Sequence, residues 1–147
     1  MIDTGDERAA DGYELAEGVP SAADYRMLRT STGLSDRSLA AATAGLAGTW
    51  FGVVVSRAGA PVGMGRIIGD GGSAFQVVDI CVLPSHQGRG LGYRIMRALM
   101  DGLERRAPAD AYVSLIADGD AHRLYRKFGF GDTAPHSIGM HRFVGTR

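Results

Sequence analysis

Cysteine is nearly absent: Cys81 stands alone in a chain of 147 residues. One thiol excludes an internal disulfide framework and a multi-cysteine zinc site. A charge surplus is also missing, since 16 lysines and arginines are balanced by 16 aspartates and glutamates. A general nucleic-acid binder carries a basic excess, so nucleic acid is not an expected partner. There is no apolar run long enough to span a bilayer, and a membrane partner is not expected. The opening residues, Met1 to Gly12, are polar and acidic-leaning, unlike a signal peptide. The 4 histidines show no paired ligand spacing, so no metal is expected. Internal repeats are lacking too. These absences point to a soluble, cytoplasmic protein. The length suits one domain with a real core, which we place at residues 13–147, behind a flexible lead-in at 1–12.

What is present centres on Phe75 to Met100. Val77-Val78-Asp79-Ile80-Cys81-Val82-Leu83 is apolar and β-branched, as a buried strand is. Pro84 ends it, because proline cannot donate to a ladder. Gly88, Gly90 and Gly92 then fall at every second position. Behind them Tyr93, Ile95, Met96, Leu99, Met100 and Leu103 are spaced as one face of a helix. A strand, a glycine turn and a helix N-terminus make a place for phosphate: bare N–H groups and the positive end of the helix dipole face the anion.

Along the chain, Tyr13 to Val19 reads as a short edge strand, and Ser21 as the N-cap of a first helix that Gly33 ends. Tyr25, Leu28 and Met27 would face inward. Ser35 and Ser38 precede a second, alanine-rich helix closed by Gly48. Trp50 to Val55, Val62 to Ile68 and Ser73 to Leu83 form an antiparallel meander. The long helix runs from about Gly88 to Arg106, where its Gly102 costs up to about 1 kcal/mol relative to alanine. Ala111 to Ala117 is a further strand, parallel to the one before the long helix. Ala121 to Phe128 is a short helix ended by Gly129. Phe130 to Thr133 and Ser137 to Phe143 read as a closing pair of strands. The expected class is α/β (α+β): a mixed, mostly antiparallel twisted sheet of six to seven strands, flanked by about four helices.

Three readings of the glycine turn compete with a turn that binds nothing. A dinucleotide fingerprint needs glycine where Tyr93 stands, and it would open a βαβ unit rather than follow a meander. A P-loop needs Gly-Lys-Ser/Thr, which is missing. The pattern Gln-x-x-Gly-x-Gly is met by Gln87, Gly90 and Gly92. Following a Val-x-Asp-Ile-x-Val-x-Pro strand, Gln87-Gly-Arg-Gly-Leu-Gly92 resembles the acyl-CoA motif of the GNAT superfamily of N-acyltransferases. Ala121-His-Arg-Leu-Tyr125-Arg-Lys-Phe-Gly129-Phe130 resembles a second segment of the same superfamily, in the expected order. The resemblance covers nearly the whole chain.

That resemblance implies acetyl-CoA as the acyl donor. Its pyrophosphate would sit on the turn formed by Gln87, Gly88, Arg89, Gly90, Leu91 and Gly92. Its pantetheine arm would lie along Ile80, Cys81 and Val82 like an added strand, where two parallel strands splay apart. Arg89 offers a charge-assisted contact to phosphate. Tyr125 is implied as the general acid that protonates the leaving thiolate. Asp79 lies inside an apolar strand, where a carboxylate is expensive unless paired or functional. Strict alternation puts it on the face of Phe75, Val77, Cys81 and Leu83. It is either a general base or the ion-pair partner of Arg66. Where the superfamily commonly has asparagine, seven residues before the tyrosine, this chain has Asp118, which accepts but does not donate and puts the usual pantetheine contact in doubt. His86 is expected to face solvent.

The implied reaction is direct acetyl transfer to a primary amine of a small molecule. Segments Val62 to Arg66, Val78 to Ile80 and Gly139-Met140 loosely resemble plant-type arylalkylamine N-acetyltransferases. Two alternatives stay open: a non-catalytic acyl-CoA-binding module, and a protein N-terminal or lysine acetyltransferase. A homodimer is a plausible assembly by the same resemblance.

Overall fold

The computed structural model describes residues 11–145, so most of the expected lead-in lies outside the described residues. The chain falls into two units, divided between Leu115 and Ile116. Among the described residues no helix is long and apolar enough to cross a membrane.

The first unit is a five-stranded sheet with helices on both faces. In chain order it runs β1 (Tyr13–Glu17), α1 (Ala22–Ser31), α2 (Leu39–Ala47), β2 (Phe51–Arg57), β3 (Ala60–Gly69), β4 (Ala74–Val82), α3 (Leu91–Arg106) and β5 (Tyr112–Leu115). The strands lie in sequence order. β1 to β4 pair antiparallel, and β4 and β5 pair parallel through Ala74↔Tyr112 to Val77↔Leu115. A parallel neighbour needs a crossover, and α3 supplies it. The expected caps are present: Ser21 Oγ accepts from the Asp24 N–H and Ser38 Oγ from the Ala41 N–H.

α3 packs on β2, β3 and β4. It comes in close because glycines line its seat. A Cβ at Gly65 would stand 2.6–2.9 Å from Ile80, Ile95 and Leu99, and one at Gly102 would stand 2.6 Å from the Phe51 ring. The helical cost of Gly102 is therefore the condition for seating α3 on Phe51. On the opposite face Tyr25, Leu28, Ala42 and Leu46 close over Met64 and Cys81.

β4 does not alternate strictly. Arg66 pairs with Val78 and Met64 with Cys81, so Gly65 alone faces both Asp79 and Ile80. This is a β-bulge, and Asp79 takes the extra place with φ at +62°. The bulge changes the strand's phase. Phe75 and Val77 share the α3 face with Ile67 and Gly69, whereas Asp79 and Cys81 turn to α1 and α2. The expectation that Asp79 shares a face with Phe75 and Val77 is corrected on this point.

The second unit holds a 3-10 turn at Gly119–Ala121 and a short helix, α4 (His122–Arg126), giving the four helices expected. Its closing residues differ from expectation. Phe130 to Thr133 and Ser137 to Phe143 are not strands, so the described residues hold five strands rather than six to seven. Between them the Ser137 N–H donates to the Thr133 carbonyl at 3.1 Å and Thr133 Oγ1 donates to the Ser137 carbonyl at 3.1 Å. Those groups close a local turn instead of a ladder.

Candidate functional site

β4 continues beyond its partner. Its pairing with β5 ends at Val77↔Leu115, while the strand runs on to Val82. Residues 78–82 therefore carry a backbone edge that no strand of the described residues pairs. Ile80, Cys81 and Val82, the residues expected along the pantetheine arm, lie on it. The strand then turns at Pro84 through a single 3-10 turn, Pro84–His86.

The glycine turn follows directly. Gly88 has φ at +75° and Gly90, the N-cap of α3, has φ at +78°. Both are left-handed, which an L side chain resists. A Cβ at either position would meet nothing within 4 Å, so backbone conformation and not packing calls for glycine. Gly90 has no side chain to cap α3, and the first N–H groups of a 16-residue helix open onto the turn. Gln87, Gly88, Arg89 and Gly90 are exposed there, Gly92 is half-buried, and Leu91 is buried. Gln87 Nε2 donates back to the Val82 carbonyl at 3.0 Å, tying the turn to the end of β4.

His86 is not free to face solvent. Its Nδ1 lies 2.7 Å from the hydroxyl of Tyr13, which also accepts from Arg57 Nη1 at 3.0 Å. The base of the turn is thereby attached to β1 and β2.

Asp79 sits in a buried polar cluster. Its Oδ2 accepts from Arg66 Nε at 2.8 Å and from the Tyr25 hydroxyl at 2.9 Å, and its Oδ1 accepts from Arg29 Nη1 at 2.5 Å. The ion pair with Arg66 is thus present, and a second arginine joins it. The three charged side chains are only 5–8% exposed. Arg66 Nη1 also donates to the Gly45 carbonyl at 3.1 Å and to Thr49 Oγ1 at 2.8 Å. The Tyr25 ring centre is 5.7 Å from the Arg29 guanidinium carbon and 5.4 Å from that of Arg66. Burial, and then the neighbouring Asp79 charge, raise the pKa of the Tyr25 phenol, so it stays a donor. Burial pushes the Cys81 thiol up to about 11, which keeps it protonated. Sequence reasoning missed Tyr25 and Arg29 as partners of Asp79. Their signal was an i, i+4 pair on the inward face of α1.

Tyr125 and Asp118 belong to the second unit. Tyr125 is buried in α4, with its ring 6.5 Å edge-on from Phe130. Asp118 is exposed and precedes the 3-10 turn, whose Ala121 N–H donates to the Asp118 carbonyl at 3.0 Å. His122 Nδ1 lies 3.1 Å from the Gly119 carbonyl. Among the described residues no group of three or more histidine, cysteine, aspartate or glutamate side chains is placed to hold a metal ion.

A family model described as an acetyltransferase (GNAT) domain matches residues 48–131, which takes in β2 to α4 and both sequence motifs. No curated protein matches the chain by sequence. Among solved structures, a probable acetyltransferase of unknown function from meticillin-resistant Staphylococcus aureus is 42% identical, with a TM-score of 0.85 over 89% of this chain and 98% of that one. A GNAT-family acetyltransferase from Streptococcus pneumoniae is 21% identical, with a TM-score of 0.71 over 92% and 99%. The ribosomal-protein-S18-alanine N-acetyltransferase of Escherichia coli is 16% identical, with a TM-score of 0.69 over 83% and 79%, a likeness of fold alone.

Proposed function

The chain belongs to the GNAT acetyltransferase family, and from that premise we propose that it moves an acetyl group from acetyl-CoA directly to a primary amine of a small molecule. The observation that carries the reading is the open edge of β4 running into a left-handed glycine turn at the start of α3. The edge offers strand-like hydrogen bonds to an amide-bearing arm, and the turn offers N–H groups to phosphate. One is the chemistry of pantetheine and the other that of pyrophosphate, and they follow each other in the order that CoA has them.

In this reading Ile80, Cys81 and Val82 pair with the pantetheine arm, and Gln87 through Gly92 hold the pyrophosphate. Arg89, exposed on the turn, adds a charged donor. The attacking amine must be neutral. With an amine pKa of about 10.4, that state lies roughly 4–5 kcal/mol uphill at pH 7. The nitrogen attacks the thioester carbonyl, the C–S bond breaks, and the thiolate leaves. Tyr125, buried in α4, is the general acid that returns a proton to sulfur. Asp118, which the family resemblance assigns to the arm, would serve there as an acceptor only.

Asp79 was the candidate base. Three donors already hold its carboxylate, two of them guanidinium groups, and taking a proton would break a charge-assisted bond. We assign Asp79 to holding the bulge, and the acceptor's proton to solvent. The reading places the protein in the cytoplasm, as a single-domain enzyme with no metal, and as a homodimer to be checked by light scattering.

The test is thiol release from acetyl-CoA across a panel of arylalkylamines, polyamines, amino sugars and peptides, with CoA binding followed by calorimetry. Turnover on a small amine supports the reading. Turnover on peptides alone would make it a protein acetyltransferase, and tight CoA binding without turnover on any amine would make it a binding module.

A further inference from the structure

The glycine turn has no packing of its own. Residues 87–90 are exposed, and a Cβ at Gly88 or Gly90 would meet nothing within 4 Å. The shape of the turn is therefore set by what holds its ends. At the near end stands His86, whose Nδ1 lies 2.7 Å from the hydroxyl of Tyr13, the first residue of β1. That hydroxyl also accepts from Arg57 Nη1 at 3.0 Å. A guanidinium only donates, so the single hydroxyl hydrogen of Tyr13 is left for His86. Tyr13 is fully buried, and water offers that hydrogen no other acceptor. Nδ1 therefore accepts, and the proton of the imidazole sits on Nε2. At the far end the Arg94 N–H donates to the Gly90 carbonyl, and Arg94 Nη1 lies 3.5 Å from Asp11 Oδ2. Asp11 Oδ1 in turn accepts from the Tyr13 N–H at 3.2 Å. The start of β1 thus grips both ends of the turn. The Arg94–Asp11 pair is long and partly exposed, which makes it worth little, so the bond from the buried Tyr13 to His86 is the stronger hold.

We propose that Tyr13 and His86 are positioning residues: their bond, given its direction by Arg57, holds the glycine turn in the shape that receives the diphosphate of the donor. This rests on the reading that the turn takes the diphosphate of acyl-CoA. Neither side chain touches the donor in this role, and Tyr13 acts from the edge strand β1, with β2 and β3 between it and β4. A turn already in its binding shape does not have to be ordered when the ligand arrives. The bond therefore acts on affinity for the part of the donor that the turn holds. It does not act on the pantetheine arm, which the same reading lays along β4.

Titrations of the full-length protein with CoA and with pantetheine, followed by amide NMR, test this. Pantetheine carries the arm without the diphosphate. His86→Asn keeps an acceptor at the place of Nδ1, whereas His86→Gln moves the polar end to the place of Nε2. His86 is half-buried at the turn, so neither variant asks the core to repack. His86→Gln and Tyr13→Phe should each weaken CoA about tenfold, as the loss of one hydrogen bond does, and leave pantetheine unchanged. His86→Asn should bind CoA like the wild type. Tyr13→Phe added to His86→Gln should weaken CoA no further, because the two remove one bond. Unchanged CoA affinity in His86→Gln overturns the proposal, and equal losses for CoA and pantetheine overturn it by making the bond a general stabilising contact. An equal loss in His86→Asn and His86→Gln overturns the role of Nδ1. If the wild type does not bind CoA, the acyl-CoA reading falls, and the hold on the turn is then read in the unliganded protein. There hydrogen exchange at 87–92 should quicken in His86→Gln and not in His86→Asn, and unchanged exchange in His86→Gln overturns it.

Discussion

Arg29 and Asp79 stand 50 residues apart in sequence and meet at 2.5 Å, in a buried cluster that also contains Arg66 and Tyr25. Two cations and one anion share that space. Removing the anion leaves two guanidinium groups without their counter-charge, which for a buried pair costs about 3–5 kcal/mol. Asp79→Ala should therefore lose most of the protein's stability, seen as a large drop in Tm. Asp79→Asn, which keeps acceptor and shape, should lose less. Equal, small losses for both would show that the cluster is solvated and not structural.

Gly90 separates the demands of the fold from those of the ligand. Its left-handed backbone disfavours alanine by about 1–2 kcal/mol, whereas asparagine tolerates that conformation. Gly90→Ala should lower both Tm and affinity for acetyl-CoA. Gly90→Asn should keep Tm near the wild type yet still bind acetyl-CoA poorly in calorimetry, because its side chain occupies the space left for phosphate. Full affinity in Gly90→Asn would show that phosphate does not approach this turn.

Gly102 sets helix propensity against packing. Alanine gains up to about 1 kcal/mol in a helix interior. Its Cβ would stand 2.6 Å from the Phe51 ring, which Arg106 covers at 4.8 Å from the ring centre. Overpacking of this kind costs typically about 1–3 kcal/mol, so Gly102→Ala should destabilise in urea titrations despite its propensity. A stabilised Gly102→Ala would mean that α3 can move off the sheet freely.

The Cys81 thiol gives a pH dependence of known sign. Its pKa rises from 9.0 to about 11 on folding, so between those values the folded state holds a proton that the unfolded state has lost. Its contribution is complete below pH 9.0 and is lost as pH rises through about 11. The wild type should lose stability over that window more steeply than Cys81→Ala, measured by urea midpoints. Parallel curves would refute the shift.

The strand, the glycine turn and the long helix were legible because each has a local signature: β-branched run, terminating proline, left-handed glycines, helical period. The parallel pairing of β4 and β5 followed from the helix between them. Asp79 was harder. Alternation assumes one residue per step, and the bulge inserts an extra one, so the phase reads correctly only up to Val78. Arg29 was legible as a helix residue but not as a partner of Asp79, since nothing local marks a contact spanning 50 residues. The closing segments failed for a related reason. Ile138 and Met140 alternate like a strand, yet Thr133 and Ser137 take their hydrogen bonds locally.

Mass spectrometry of the acceptor after incubation with deuterium-labelled acetyl-CoA reads the transfer itself. An N-acetylated small amine should carry the label, and Tyr125→Phe should reduce kcat far more than it changes the KM for acetyl-CoA. Tight CoA binding with no labelled product on any amine would contradict it.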